Sequence, residues 1–311
     1  MRNAERGMRN EGAEIVCLDA GEDDVQLCKW DGVEIRIERA AAPDVTAAIS
    51  QALDKLVPRP GFRLRYRIAE GVPDSEVMAR WIEGVGRSLG VGAIRRLPDD
   101  VRAEPGLTAA RQAADRHRLG EIVCLELRRG SYICAAVDAR GRAGTHERGK
   151  WADADAVGAV VKRFGRAGST LTCYGCAVSE AKAIEIARRF GLRHVLVPDY
   201  AASFAVVGML IVDLVFELRA DPPKDSADTR GIRESFARLM DEAARQVTLE
   251  GYDIDDTVCE RLVEMAGGEG ILLEGLTGPS KEIRGLFLRV TIHTPKFALP
   301  ADGTGRLISI G

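Results

Sequence analysis

"EIVCL" occupies Glu14–Leu18 and returns unchanged at Glu121–Leu125. A pentapeptide shared by chance would be followed by unrelated patterns, so the segments after each copy carry the test. After the first come "DAGEDD", a strand "VQLCKW", a turn at Asp31-Gly32, a strand "VEIRIER" and a helix from Asp44 to Val57. A strand "FRLRYRIA", a helix from Asp74 to Leu89, a short strand "GAIRRL" and a helix from Thr108 to His117 complete the first half. After the second copy come "ELRRG", a strand "SYICAAVD", a turn at Gly141, a third strand and a helix from Ala152 to Phe164. A strand "STLTCY", a helix from Ser179 to Phe190, the strand "HVLVP" and a helix from Ala201 to Leu218 close it. Both halves read βββαβαβα.

The helices rest on apolar residues that recur every three or four positions: Val77, Trp81, Ile82 and Val85 in one, Val157, Val160, Val161 and Phe164 in another. Pro73-Asp74 opens the first of these and Phe190-Gly191 closes a third. The longest apolar run lies between Asp199 and Asp213, inside "HVLVPDYAASFAVVGMLIVDLVFELRADPP". A bilayer core takes about 20 apolar residues, so this run is too short to span and is expected to be a core segment.

Composition narrows the function. A formal net charge of −3 and a pI near 6.0 give no bulk electrostatic reason to bind nucleic acid or an anionic membrane. The polar "MRNAERGMRNEGAE" has no apolar stretch of a secretory leader, and a cytoplasmic location is expected. Of seven cysteines, Cys17, Cys28, Cys124, Cys134 and Cys259 sit in strand-like stretches as small apolar side chains. Cys173 and Cys176 form a Cys-x-x-Cys that reads as a redox dithiol or half a zinc site, but no second pair or nearby histidine supports zinc. The four histidines read as structural: His117 ending a helix, His146 in a turn, His194 before a strand and His293 in one. No catalytic residue and no metal site is assigned.

A duplicated βββαβαβα unit is the actin-like (ribonuclease H-like) α/β architecture, in which two domains face a nucleotide cleft and each hairpin turn supplies a phosphate loop. The expected domains are 14–119 and 120–223, with a C-terminal helix and β extension over 224–311. "VLVPDYAASFAVVGMLIVDL" resembles a segment of the hydantoinase A and oxoprolinase family of actin-like ATPases, with Pro198, Phe204, Gly208 and Asp213 on matching positions. "FARLMDEAARQVTLEGYDIDDTVCERLVEM" is similar to that family's long helix and following strand, and "LFLRVTIHTPKFALP" to its closing strand with Thr294-Pro295-Lys296. Chains of the family are considerably longer, so the resemblance implies a short, degenerate member.

The resemblance also implies where nucleotide would bind, and there the sequence departs from the pattern. Glycines let backbone N–H groups approach phosphate. The first loop is Asp19-Ala20-Gly21-Glu22-Asp23-Asp24, acidic where the family has glycine and threonine; the second is Glu126-Leu127-Arg128-Arg129-Gly130-Ser131, without its glycine pair. The adenosine-side segment is Tyr174-Gly175-Cys176-Ala177-Val178-Ser179, with no histidine, and "AGGEGI" follows Met265 in place of another family motif. Two readings follow. In one, the chain is an accessory or regulatory subunit, with no cofactor of its own, of an acetone or acetophenone carboxylase-type or hydantoinase-type complex. Its partners are larger subunits or a second copy. In the other it is an Mg-ATP enzyme, with Asp19, Asp23 or Asp24 on the metal and Arg128 and Arg129 on phosphate. A binding module or redox protein using Cys173 and Cys176 is a third. In such a fold Glu22, Asp23 and Asp24 would lie opposite Arg128 and Arg129, either paired as a clamp or solvated as turns.

Overall fold

A computed structural model describes residues 14–21, 25–30, 35–40, 45–56, 58–68, 72, 74–97, 105–128, 131–138, 143–150, 154–165, 169–175, 177–223, 229–265, 270–273, 283–293 and 305–310. The chain divides into two compact units, one of Gly12–Val212 with Lys296–Gly311 and the other built on Asp213–Pro295.

The first unit holds both repeats. Strands β1 (Ile15–Ala20), β2 (Val25–Trp30) and β3 (Ile35–Ala40) precede helix α1 (Val45–Leu56), β4 (Arg63–Ile68), α2 (Ser75–Ser88), β5 (Ala93–Arg96) and α3 (Pro105–Arg116). Strands β6 (Ile122–Leu127), β7 (Ser131–Val137) and β8 (Ala143–Lys150) then precede α4 (Ala154–Phe164), β9 (Thr170–Tyr174), α5 (Glu180–Arg189), β10 (His194–Val197) and α6 (Phe204–Gly208). The first sheet runs β3-β2-β1-β4-β5, and the second repeats that order as β8-β7-β6-β9-β10. In each, the hairpin strands are antiparallel and the later strands parallel. The fold is thus the duplicated actin-like α/β architecture.

Each sheet buries one face under its own helices. Val16, Leu18, Leu27, Leu64 and Tyr66 pack with Ile49 and Leu53 of α1 and Ile82 of α2. Val123, Leu125 and Leu171 pack with Val161 and Phe164 of α4 and Ile186 of α5. The opposite, inner faces are covered crosswise. Helix α6, from the second repeat, packs on β1 and β2, while α3, from the first, packs on β6 and β7, and the two helices pack on each other. Alanines 109, 110, 113 and 114 and Gly106 of α3 make that approach possible, and all are buried. A Cβ on Gly208 would overlap the Pro105 carbonyl, and one on Gly106 would overlap the Tyr174 ring.

The second unit begins with β11 (Leu214–Ala220) and the long α7 (Thr229–Leu249), followed by β12 (Thr257–Met265), β13 (Gly270–Leu272) and β14 (Ile283–Ile292). These strands form an antiparallel sheet ordered β11-β14-β12-β13, with α7 against β11 and β14. The tail strand β15 (Arg306–Ser309) belongs to the first unit, where it pairs antiparallel with β10.

Several readings change. The helix expected from Ala201 to Leu218 ends at Gly208, and a strand starts at Leu214. "LVFELRA" alternates apolar and charged side chains, and that two-residue period wins over the apolar run before it. Val77 is 57 % exposed, because the inward face of α2 is carried by Met78, Ala79, Ile82 and Val85, one position round the helix. Helix α3 starts at Pro105, whose missing N–H costs nothing at a first helical position. Asp74 stands at the N-cap of α2 with φ 52° and no side-chain cap bond. His146 lies in β8 and not in a turn, His194 opens β10, and His293 follows β14, where its Nδ1 lies 2.9 Å from Asp213 Oδ2. Thr294-Pro295-Lys296 and the turns at Asp31-Gly32 and Gly141 fall outside the described residues.

The crossed helices give a direct test. Gly208→Ala places a methyl against backbone that cannot move aside, so overpacking should destabilise by about 1–3 kcal/mol. Gly84→Ala, where a Cβ meets nothing within 4 Å, should be neutral or stabilising. Urea unfolding of both variants checks the contrast.

Candidate functional site

Beside the crossed helices, the inner sheet faces carry polar side chains. Alternation along "RLRYRI" sends Leu64, Tyr66 and Ile68 to the helix-covered face and Arg63, Arg65 and Arg67 to the inner one. In register, Arg65 stands beside Cys17 and Arg67 beside Asp19. The equivalent register in the second sheet puts Tyr174 beside Glu126. Asp19 and Glu126 are themselves equivalent, each following its copy of "EIVCL".

The two carboxylates meet across the joint. Arg67 donates from Nε to Asp19 Oδ1 at 3.0 Å and from Nη2 to Oδ2 at 2.7 Å. Arg128 donates from Nη2 to Asp19 Oδ2 at 2.9 Å and from Nε to Glu126 Oε1 at 2.7 Å. Arg67 Nη2 lies 3.7 Å from Glu126 Oε1. Asp19, Arg67 and Glu126 are buried, and Arg128 keeps 15 % of its side chain exposed. Burial alone would push the Asp19 carboxyl up; the charges of Arg128 and Arg67, with their hydrogen bonds, outweigh it and hold the group below the usual carboxylate range.

Arg65 adds a second tie between the repeats. It is fully buried, and its Nη1 donates to the carbonyls of Met209, at 3.1 Å, and Leu210, at 3.3 Å, just past the end of α6. Tyr174 packs against the Phe204 ring, with centroids 5.4 Å apart. Gly175, with φ 107°, donates its N–H to Ala201 at 2.7 Å, and a Cβ there would overlap the Leu127 backbone. Among the described residues, Asp19, Gln26, Glu126, Arg128, Gly175, Ala202 and Ala205 line a small space of about 10 Å³, room for about one water.

Of the residues singled out in sequence, Asp19, Glu126, Arg128 and Gly175 converge here. Gly21 is buried after β1, and Ser131 opens β7, its carbonyl accepting the Arg128 N–H at 3.0 Å. Glu22, Asp23, Asp24, Arg129, Gly130 and Cys176 lie outside the described residues. Sequence reasoning missed Arg67 and Arg65, although the alternating arginines of "FRLRYRI" were in view. Cys173 is buried, and burial pushes its thiol up to about 12, so it is a resting thiol in the core of the second repeat. Among the described residues no group of three or more His, Cys, Asp or Glu side chains is placed to hold a metal ion, and no helix is long and apolar enough to cross a membrane.

The lattice yields three measurable outcomes. A buried pair broken on one side costs about 3–5 kcal/mol, so Asp19→Asn should be severely destabilised. Its coupling to Arg128→Gln in a double-mutant cycle should lie at about 1–3 kcal/mol, where a solvated pair would give less than about 1 kcal/mol. The pH dependence has a definite sign. The folded Asp19 carboxyl titrates below its unfolded value of about 3.9, so its contribution is complete above that value and is lost as pH falls through the folded one. The stability gap between wild type and Asp19→Asn should therefore narrow from about pH 6 to below about pH 3 in urea titrations.

No protein-family model matches the chain, and no curated protein matches it by sequence. In structure it is similar to the ethanolamine utilization protein EutJ from Carboxydothermus hydrogenoformans, at 14 % identity and a TM-score of 0.45 over 63 % of this chain and 88 % of that one. It is also similar to acetone carboxylase in a nucleotide-free structure, at 8 % identity and 0.48 over 92 % and 88 %. A third similarity is to the activator of 2-hydroxyisocaproyl-CoA dehydratase from Clostridium difficile with bound ADPNP, at 11 % identity and 0.43 over 63 % and 92 %.

Proposed function

We propose that this chain is an accessory or regulatory subunit, not itself an ATP hydrolase, of a larger ATP-dependent complex of the ketone carboxylase or hydantoinase and oxoprolinase kind. The observation that carries the reading is the lattice of Asp19, Arg67, Glu126 and Arg128 between the hairpin strands of the two repeats. Phosphoryl transfer on such a fold needs backbone N–H groups free to approach phosphate and a carboxylate free to hold Mg²⁺. Both oxygens of Asp19 are engaged by guanidinium groups, and the adjoining space is that of about one water. The arrangement favours a fixed scaffold over a cleft that opens and closes around nucleotide.

The resemblance at Pro198, Phe204, Gly208 and Asp213 supports the choice of complex. Gly208 sits where α6 meets α3, so that position of the motif belongs to the joint between the repeats. The partners on this reading are larger carboxylase-type or hydantoinase-type subunits, or a second copy of this chain, in the cytoplasm.

Isothermal titration of the purified protein with Mg-ATP should give no micromolar binding, and phosphate release should stay at the background rate. Micromolar binding by the wild-type chain would overturn the reading and favour an Mg-ATP enzyme. Purification from the native host should bring down a larger subunit in fixed proportion.

A further inference from the structure

We propose that Cys17 and Cys28 are a cross-strand dithiol that closes to a reversible disulfide when the chain meets a thiol oxidant of the small-disulfide class. The two residues are Cα partners in the antiparallel pairing of β1 with β2. Directly opposite residues point to the same side of a sheet with Cα atoms about 4.5–5.5 Å apart, inside the range of about 4.4–6.8 Å that a disulfide spans. Both thiols are free and fully buried. Burial first, and then the charge Cys17 would carry, push the Cys28 thiol up, so the two sulfurs sense each other.

The duplication isolates the feature. Cys17 and Cys124 are equivalent, each the fourth residue of its "EIVCL". Opposite Cys124 stands Ala135, and opposite Cys134 stands Leu125, so the hairpin of the second repeat has no thiol pair in register. Alanine serves that position in one repeat, and the other puts a second sulfur there.

Fit decides what the pair can become. Alternation places Cys17 on the inner face with Asp19, where α6 packs on β1 and β2. A glutathione adduct has no room on either buried sulfur, whereas joining the two removes two hydrogens and adds no atom. Directly opposite Cβ atoms sit about 4.5–5.5 Å apart, against about 3.8 Å in a relaxed disulfide, so the bond carries strain and is readily reduced. That suits a transient bond in a reducing compartment.

The reaction is two exchanges. One cysteine thiolate attacks a sulfur of the oxidant, breaking its S–S bond and releasing one thiol; the other attacks the mixed disulfide and releases the second. The chain loses two electrons and two protons, and the oxidant leaves as two thiols. Burial pushes the Cys17 thiol up to about 12, so exchange waits for local opening of the β1–β2 hairpin. Once closed, the bond ties β1 to β2 two residues from Asp19, the carboxylate that Arg67 and Arg128 both grip.

Trypsin leaves both cysteines in one peptide, residues 10–29, because no Lys or Arg lies between Arg9 and Lys29. The full chain is held with glutathione disulfide, in buffer and in urea below its unfolding transition, then alkylated and digested without reductant. The peptide should be two hydrogens lighter and unalkylated, at a rate that rises with urea, from a chain that keeps its native circular dichroism spectrum. Dithiothreitol should restore two alkylation sites, and Cys124 and Cys134 should stay alkylatable throughout. Cys28→Ala, which copies Ala135, should fold and leave Cys17 alkylatable in buffer. A stable glutathione adduct on Cys17 or Cys28 of the wild-type chain, or an oxidised chain without the native spectrum, would overturn the proposal. So would two thiols still alkylatable after oxidation at the urea midpoint and return to buffer.

Discussion

The bidentate grip of Arg67 on Asp19, shared with Arg128 from the other repeat, is the constraint on which the first unit depends. Removing these charges from water costs several kcal/mol per ion, and only good geometry and mutual pairing offset it. That condition fixes where the two hairpin strands β1 and β6 can stand. Asp19 must present both oxygens to one fork, and Arg128 must reach back over 109 residues of sequence to the same carboxylate. Exposed pairs such as Arg87 with Glu83 along α2 contribute about 0.3–0.5 kcal/mol and fade with salt. The buried lattice is shielded from both limits.

The crossed helices are the apolar counterpart of that lattice. Helix α6 covers the first sheet and α3 the second, so neither repeat buries its inner face without the other. Small residues set the distance: with Ala and Gly along α3 and Gly208 on α6, backbones approach closely. Arg65 ends α6 by accepting no compromise in burial, donating to two carbonyls beyond the last turn that would otherwise lack intrahelical partners. The joint is thus held by packing at its centre and by guanidinium groups on two sides.

Much of this was legible in the sequence, and what was not has physical reasons. The repeated "EIVCL" gave the duplication and the equivalence of Asp19 and Glu126, because identical strands fold to equivalent places. The charge clamp is expected between Glu22, Asp23, Asp24 and Arg128, Arg129, of which Arg128 alone lies among the described residues; its described partners are Asp19 and Glu126. Arg67 was missed because an alternating Arg-x-Arg-x-Arg strand normally has its charges in water. Here the opposite face is also covered, and a period of two says which residues share a face but not what covers it. The tail strand β15 gave no signal either. Its four residues gain their order from pairing with β10, more than 100 residues away, and that pairing is invisible to local pattern.

The position of Arg128 explains how a loop can change its chemistry without changing its fold. Counting from "EIVCL", Arg128 corresponds to Gly21. A glycine there offers an open approach to the backbone; an arginine offers a long side chain that carries its own donors. Gly21 stays buried and leaves room at the end of β1, while Arg128 extends from the other repeat toward the carboxylate two residues before that glycine. The asymmetry matters, since arginines at both positions would set like charges against each other, and glycines at both would leave Asp19 with Arg67 alone. One glycine and one arginine let a single guanidinium bridge both carboxylates.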